Sequence, residues 1–104
     1  MLRELTDADF AREVIEPRLP FVVLFSSPWC GVCLKVAPRV QALAEAHPQA
    51  RFGKVDISAC ARTASTLRVL ALPAVLFFRD GEEKARLAGN VSEDELLRAL
   101  ERIL

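Results

Sequence analysis

Cys30 and Cys33 stand two residues apart in the run Trp29-Cys30-Gly31-Val32-Cys33. Two thiols at this spacing can close on each other. If Cys30 opens a helix, Cys33 lies one turn along at i+3, the neighbouring position on a helix surface. There a disulfide can form without moving the backbone. A sulfur at a helix start faces unpaired backbone N–H groups and the positive end of the helix dipole, which favours its thiolate. Cys30 is therefore the expected nucleophile. Its attack on a target disulfide gives a mixed disulfide, and Cys33, tethered within reach, attacks Cys30 to release the reduced target.

The competing chemistry is metal binding. A structural zinc site needs four ligands. Beyond Cys30 and Cys33 the chain offers only Cys60 and His47, with no second paired motif. The redox reading is preferred, with no metal and no cofactor on the chain itself. Cys60, at the start of a short expected helix, reads as an inert packed residue. His47, at the end of a helix beside Pro48, is placed to meet the last carbonyls rather than the cysteines.

The elements around the pair follow from hydropathy and punctuation. Residues 2–5 read as a short strand, and Thr6 with Asp9 as a capping box opening a helix that Pro17 closes after Glu16. The unbroken run 21–25 reads as a central strand covered on both faces. A helix is expected over 30–47, with Val36, Val40, Leu43 and Ala44 as its apolar stripe and a kink at Pro38. A strand over 51–57 and a helix over 58–67 come next, then strands over 74–78 and 84–88 joined by the Asp80-Gly81 turn signal. Ser92 with Glu95 forms a second capping box, opening a helix whose apolar face is Leu96, Leu97, Leu100, Ile103 and Leu104. Parallel connections early and a hairpin late imply an α/β fold, a three-layer α/β/α sandwich on a central mixed sheet, as a single domain over 1–104.

The bulk numbers agree with such a domain. The chain has 104 residues, 52% hydrophobic and 27% charged, enough for a core without staples. Fourteen basic residues balance fourteen acidic ones, and no like-charge run stands out, so nothing calls for nucleic acid or an anionic membrane. The longest apolar stretch, 69–78, is too short to span a bilayer and contains Pro73. The first seven residues turn acidic before any apolar run, unlike a secretory signal, so a cytoplasmic protein is expected.

Over nearly its whole length the sequence resembles the thioredoxin family. The landmarks are Trp29-Cys30-Gly31-Val32-Cys33-Leu34-Lys35, Pro38 five residues after the second cysteine, Gly53-Lys54-Val55-Asp56, Leu72-Pro73, Asp80-Gly81 and Gly89 before the last helix. The resemblance implies a thioredoxin fold, a cis peptide bond before Pro73, and a proline loop packed beside the cysteines. A cis proline lacks an N–H and holds a tight turn, so Leu72 can offer its backbone to an extended substrate strand. Trp29, Gly31, Val32, Leu72, Pro73 and Gly89 would then form the substrate-binding groove. The implied partners are disulfide-containing proteins and an NADPH-dependent thioredoxin reductase, with the chain acting as a monomer in electron transport and cell redox homeostasis.

Two positions depart from the family pattern. Val32 stands where the family usually has proline, restoring a backbone N–H and freeing φ. Leu24 stands six residues before the first cysteine, where thioredoxins commonly carry a buried aspartate that helps deprotonate the resolving thiol. Lys54 is retained without that partner and is expected to reach solvent with its stem on the core. The preferred reading is a general protein-disulfide reductase. Its rivals are a thioredoxin-like protein serving one client, and a binding or metal-carrying module on the same fold.

Overall fold

The computed structural model describes residues 2–104, so Met1 of the expected 1–104 domain lies outside it. Five strands form one mixed sheet: β1 (Arg3–Glu4), β2 (Phe21–Ser26), β3 (Arg51–Asp56), β4 (Ala74–Arg79) and β5 (Glu82–Ala88), in the order β1-β3-β2-β4-β5. β3 runs parallel to both β1 and β2, whereas β4 is antiparallel to β2 and to β5. The helices are α1 (Gly31–Ala46), α2 (Ala61–Thr66) and α3 (Glu93–Glu101). This is the α/β/α sandwich on a central mixed sheet expected from the sequence.

The apolar runs of β2 and β4 are buried on both faces because each face has its own cover. Val22, Leu24, Val75 and Phe77 join one cluster with Val36, Val40 and Leu43 of α1 and Leu96 and Leu100 of α3. The alternate residues Phe21, Val23, Phe25, Leu76 and Phe78 pack on the other face with Phe10, Val14 and Cys60. The strand period of two thus divides one hydrophobic run between two cores. Gly53 of β3 permits the close approach of β1: a Cβ there would stand 2.8 Å from Leu5 Cδ1 and 3.0 Å from the Arg3 carbonyl.

Several boundaries differ from the sequence expectation. The strand expected over 2–5 is only Arg3–Glu4. The Thr6–Asp9 box forms, with Thr6 N–H donating to Asp9 at 2.8 Å and Asp9 N–H to Thr6 Oγ1 at 3.2 Å. The helix it opens is a π-helical turn over Ala11–Ile15, in which Glu16 N–H reaches the Ala11 carbonyl at 3.0 Å. The wide turn lets Phe10, Val14 and Ile15 all pack on the second core. The helix expected over 58–67 is shortened to α2, because Asp56 accepts from both the amide and the hydroxyl of Ser58 and holds that segment as a turn. β5 starts two residues earlier than expected, directly after Asp80 (φ 55) and Gly81 (φ 77), the left-handed pair that a tight hairpin turn requires. Leu104 is exposed, since α3 ends at Glu101 and the last residues leave the helical period.

Candidate active site

The parallel β2–β3 pair and the antiparallel β2–β4 pair bring several chain segments to one end of the sheet. Phe25 of β2 stands opposite Ala74 of β4, and Ala74 stands opposite Ala88 of β5. The segment leaving β2 carries Trp29 and Cys30, the one entering β4 carries Leu72 and Pro73, and the one leaving β5 carries Gly89. Widely separated parts of the chain therefore converge by strand register alone.

Cys30 is the N-cap of α1, with extended backbone (φ −94°, ψ 104°), and its Sγ accepts the Cys33 N–H at 3.2 Å. Cysteine here does the work of a capping serine or aspartate, taking up one of the helix's unpaired amide donors. The two cysteines are joined in a disulfide with Cα atoms 5.3 Å apart. They differ in access: Cys30 is half-buried, whereas Cys33 is buried at 4% exposure. Cys30 is thus the more accessible of the two.

Around the pair, Trp29 is 81% exposed and Val32 39%, and Gly31 is open to solvent. The Leu72–Pro73 peptide bond is cis, as the resemblance implies, and the Pro73 carbonyl accepts from Gly89 N–H at 2.9 Å. Gly89 has φ +84°, a conformation that other residues rarely adopt, and the place of its missing Cβ is empty. Arg39 of α1 fixes the same segment by donating to the Asn90 side chain (2.8 Å) and the Val91 carbonyl (2.7 Å).

Sequence reasoning did not single out Leu34, which is 77% exposed beside the cysteines. An apolar residue on the outward side of a helix start was the available signal. Leu34 also borders a cleft of about 370 Å³ behind the disulfide, lined by Leu24, Ser26, Ser27, Cys33, Ala37 and Lys54 among others. Leu24 presents a buried aliphatic wall where the family pattern has a carboxylate. Lys54 is exposed, as expected.

The other metal-capable residues are engaged elsewhere. Cys60 is buried with its Sγ directed at the Leu5 carbonyl (3.4 Å), and burial, with Asp7 nearby, pushes its thiol pKa up. His47 bonds the Leu43 carbonyl through Nδ1 at 2.9 Å, the helix-end role expected for it. Among the described residues no group of three or more histidine, cysteine or acidic side chains is arranged to hold a metal ion. Nor is any helix among them long and apolar enough to cross a membrane.

A cysteine pair closed as a disulfide at the start of a helix, with a cis proline brought by strand register to the same end of the sheet, fits a dithiol–disulfide oxidoreductase. The comparisons with known proteins agree. The family model described as Thioredoxin matches residues 1–102. Thioredoxin of Mycobacterium tuberculosis is 34% identical over 98 residues, covering 93% of this chain and 84% of that protein. Thioredoxin 1 of Synechococcus elongatus is 34% identical over 101 residues, covering 96% and 94% respectively. The X-ray structure of Fasciola hepatica thioredoxin superposes with a TM-score of 0.90 at 34% identity, covering 99% of this chain and 100% of that one. The chain belongs to the thioredoxin family, and its activity is dithiol–disulfide exchange on protein disulfides.

Proposed function

We propose that this protein is a general protein-disulfide reductase in which Cys30 is the nucleophile and Cys33 the resolving thiol. The observation that carries the assignment is the contrast between the two sulfurs: Cys30 is accessible and caps α1, while Cys33 is buried behind it. The helix N-terminus favours a thiolate at Cys30. That thiolate attacks one sulfur of a client disulfide, the other client sulfur leaves as a thiolate, and a Cys30–client disulfide remains. Cys33, as its thiolate, then attacks Cys30. The Cys30–Cys33 bond closes and the client departs with both sulfurs reduced.

The client lies as an extended strand over Trp29, Gly31, Val32, Pro73 and Gly89, with its backbone bonded to Leu72. The cis bond at Leu72–Pro73 and the open space at Gly89 support this groove. With Leu24 in place of an acid, the Cys33 proton passes to water through the adjoining cleft. Electrons return from an NADPH-dependent thioredoxin reductase, and the protein acts as a cytoplasmic monomer, a single domain in cell redox homeostasis. The single-client reading is favoured only by Val32 and Leu24, the two departures at the site.

The test is the equilibrium of the Cys30–Cys33 pair with a glutathione series, followed by mass shift, together with insulin reduction. A strongly reducing pair with turnover supports the reductase. A weakly reducing pair, or a disulfide that forms without turnover, contradicts it, and turnover restricted to one client moves the assignment to the specialised reading.

A further inference from the structure

Arg86 lies on β5 opposite Leu76, so its side chain belongs to the sheet face that carries α2. Its guanidinium serves three acceptors at once. Nε and Nη2 donate to the two carboxylate oxygens of Glu83, each at 2.7 Å, and Nη2 and Nη1 also donate to the carbonyls of Leu67 (2.7 Å) and Arg68 (3.0 Å). Leu67 is the C-cap of α2, and Arg68 adopts φ +54°. A cation from another element thus takes the C-cap carbonyl of a short helix and that of the residue after it, at the helix end where the dipole is negative. The Glu83 carboxylate fixes the planar fork and holds the arginine more firmly protonated.

These bonds fall just before the segment that leads to Pro73. Leu70, at the middle of that segment, is 95% exposed, and Ala71 is exposed as well. Little packing holds its apex. Val69 and Leu72 lean partly on the second core, and the far end is tied through the bond from Gly89 N–H to the Pro73 carbonyl. Both ends of residues 67–73 are therefore fastened to β5 and its C-terminal continuation, at Arg86 and at Gly89.

We propose that Arg86, oriented by Glu83, is a positioning residue that holds residues 69–72 in place for the client strand, so that it governs client docking and not the chemistry of the cysteines. The proposal rests on the groove reading above, in which the Leu72 backbone binds the client. A lysine replaces it only in part, because an ammonium lacks the planar fork that serves a carboxylate and two carbonyls together.

The experiment mixes pre-reduced protein with increasing insulin, to obtain the half-saturating concentration and limiting rate, and separately with a small aromatic disulfide that needs no groove. Arg86→Ala is expected to raise the half-saturating insulin concentration roughly three- to tenfold, the scale of losing a helix-end cation and its hydrogen bonds. The limiting rate, the small-disulfide rate and the Cys30–Cys33 potential stay as in the parent. Arg86→Lys, which keeps the charge and disturbs packing least, shows the same shift in weaker form. Unchanged insulin saturation in both variants overturns the proposal, as does parallel slowing with both substrates, the mark of general structural damage. Trp29→Ala separates the two levels: if it raises half-saturation while Arg86→Ala does not, the positioning role alone fails. If neither does, the groove reading fails and the positioning role with it.

Discussion

At the scale of single residues, the site is organised by which sulfur is reachable and which amide it meets. Cys30 caps α1 and receives the Cys33 N–H, as its place at a helix start indicated, and the i, i+3 spacing lets the two sulfurs close. Burial of Cys33 was not legible in the same way, since it depends on β2 and on the cleft beneath the helix. Leu24 is the residue whose replacement is most informative. A carboxyl introduced there would be pushed up in pKa by burial and would stand beside the same cleft as Cys33. Leu24→Asp is therefore expected to make resolution of the mixed disulfide quicken as pH rises through that carboxyl's pKa, at a stability cost of about 2–4 kcal/mol. Rapid-quench measurement of resolution against pH checks this, and a rate that does not respond to the substitution at any pH contradicts it.

Elements were legible where local signals act alone. The Ser92–Glu95 box forms in both directions, Glu95 N–H to Ser92 Oγ at 3.1 Å and Ser92 N–H to Glu95 at 2.9 Å, and α3 starts where it predicts. The Asp80-Gly81 turn likewise starts the hairpin. Elements set by tertiary contact were not: the Ala11–Ile15 turn widens to satisfy the second core, and the start of α2 is decided by Asp56 and by Asp7, which accepts from Thr63 N–H at 2.9 Å across 56 residues. β1 depends in the same way on a neighbour that only the fold supplies. Gly53→Ala should force Leu5 and the Arg3 backbone away, destabilising the protein by about 1–3 kcal/mol while leaving the active-site end of β2 and β4 intact. Chemical denaturation together with the small-disulfide rate tests it; lost activity in the folded variant would show that β1 is coupled to the site.

For the whole molecule, the carboxylates predict how stability depends on pH. Hydrogen bonds from the Thr63 side chain lower the pKa of Asp7, those from the Thr6 amide that of Asp9, from the Ser58 hydroxyl that of Asp56, and from the Ser92 amide that of Glu95. Because each folded pKa lies below its unfolded value, the unfolded chain binds more protons between the two. Their contribution is complete above the ordinary carboxylate range and is lost as pH falls through the lowered folded values. Thermal unfolding should show a melting temperature that falls with acidification in that window, with a shallower fall in Asp7→Asn. An unchanged profile in that variant would mean that the contact between Asp7 and α2 does not report on global stability. Cys60 offers a second view of the whole fold. Buried and with its pKa raised, it should be alkylated only at the rate of global unfolding. Mass spectrometry of Cys30→Ser/Cys33→Ser protein across denaturant measures this, and fast labelling under native conditions would reveal local opening between α2 and the N-terminal segment.

The proposed division of labour between the two sulfurs, attack by Cys30 and resolution by Cys33, is open to direct trapping. Reduced Cys33→Ser and Cys30→Ser proteins are each mixed with oxidised insulin and the adducts identified by mass spectrometry. A stable disulfide between Cys30 and insulin is expected in the first protein, with little or none through Cys33 in the second. Equal trapping through both cysteines, or trapping through Cys33 alone, would reverse or abolish the assignment.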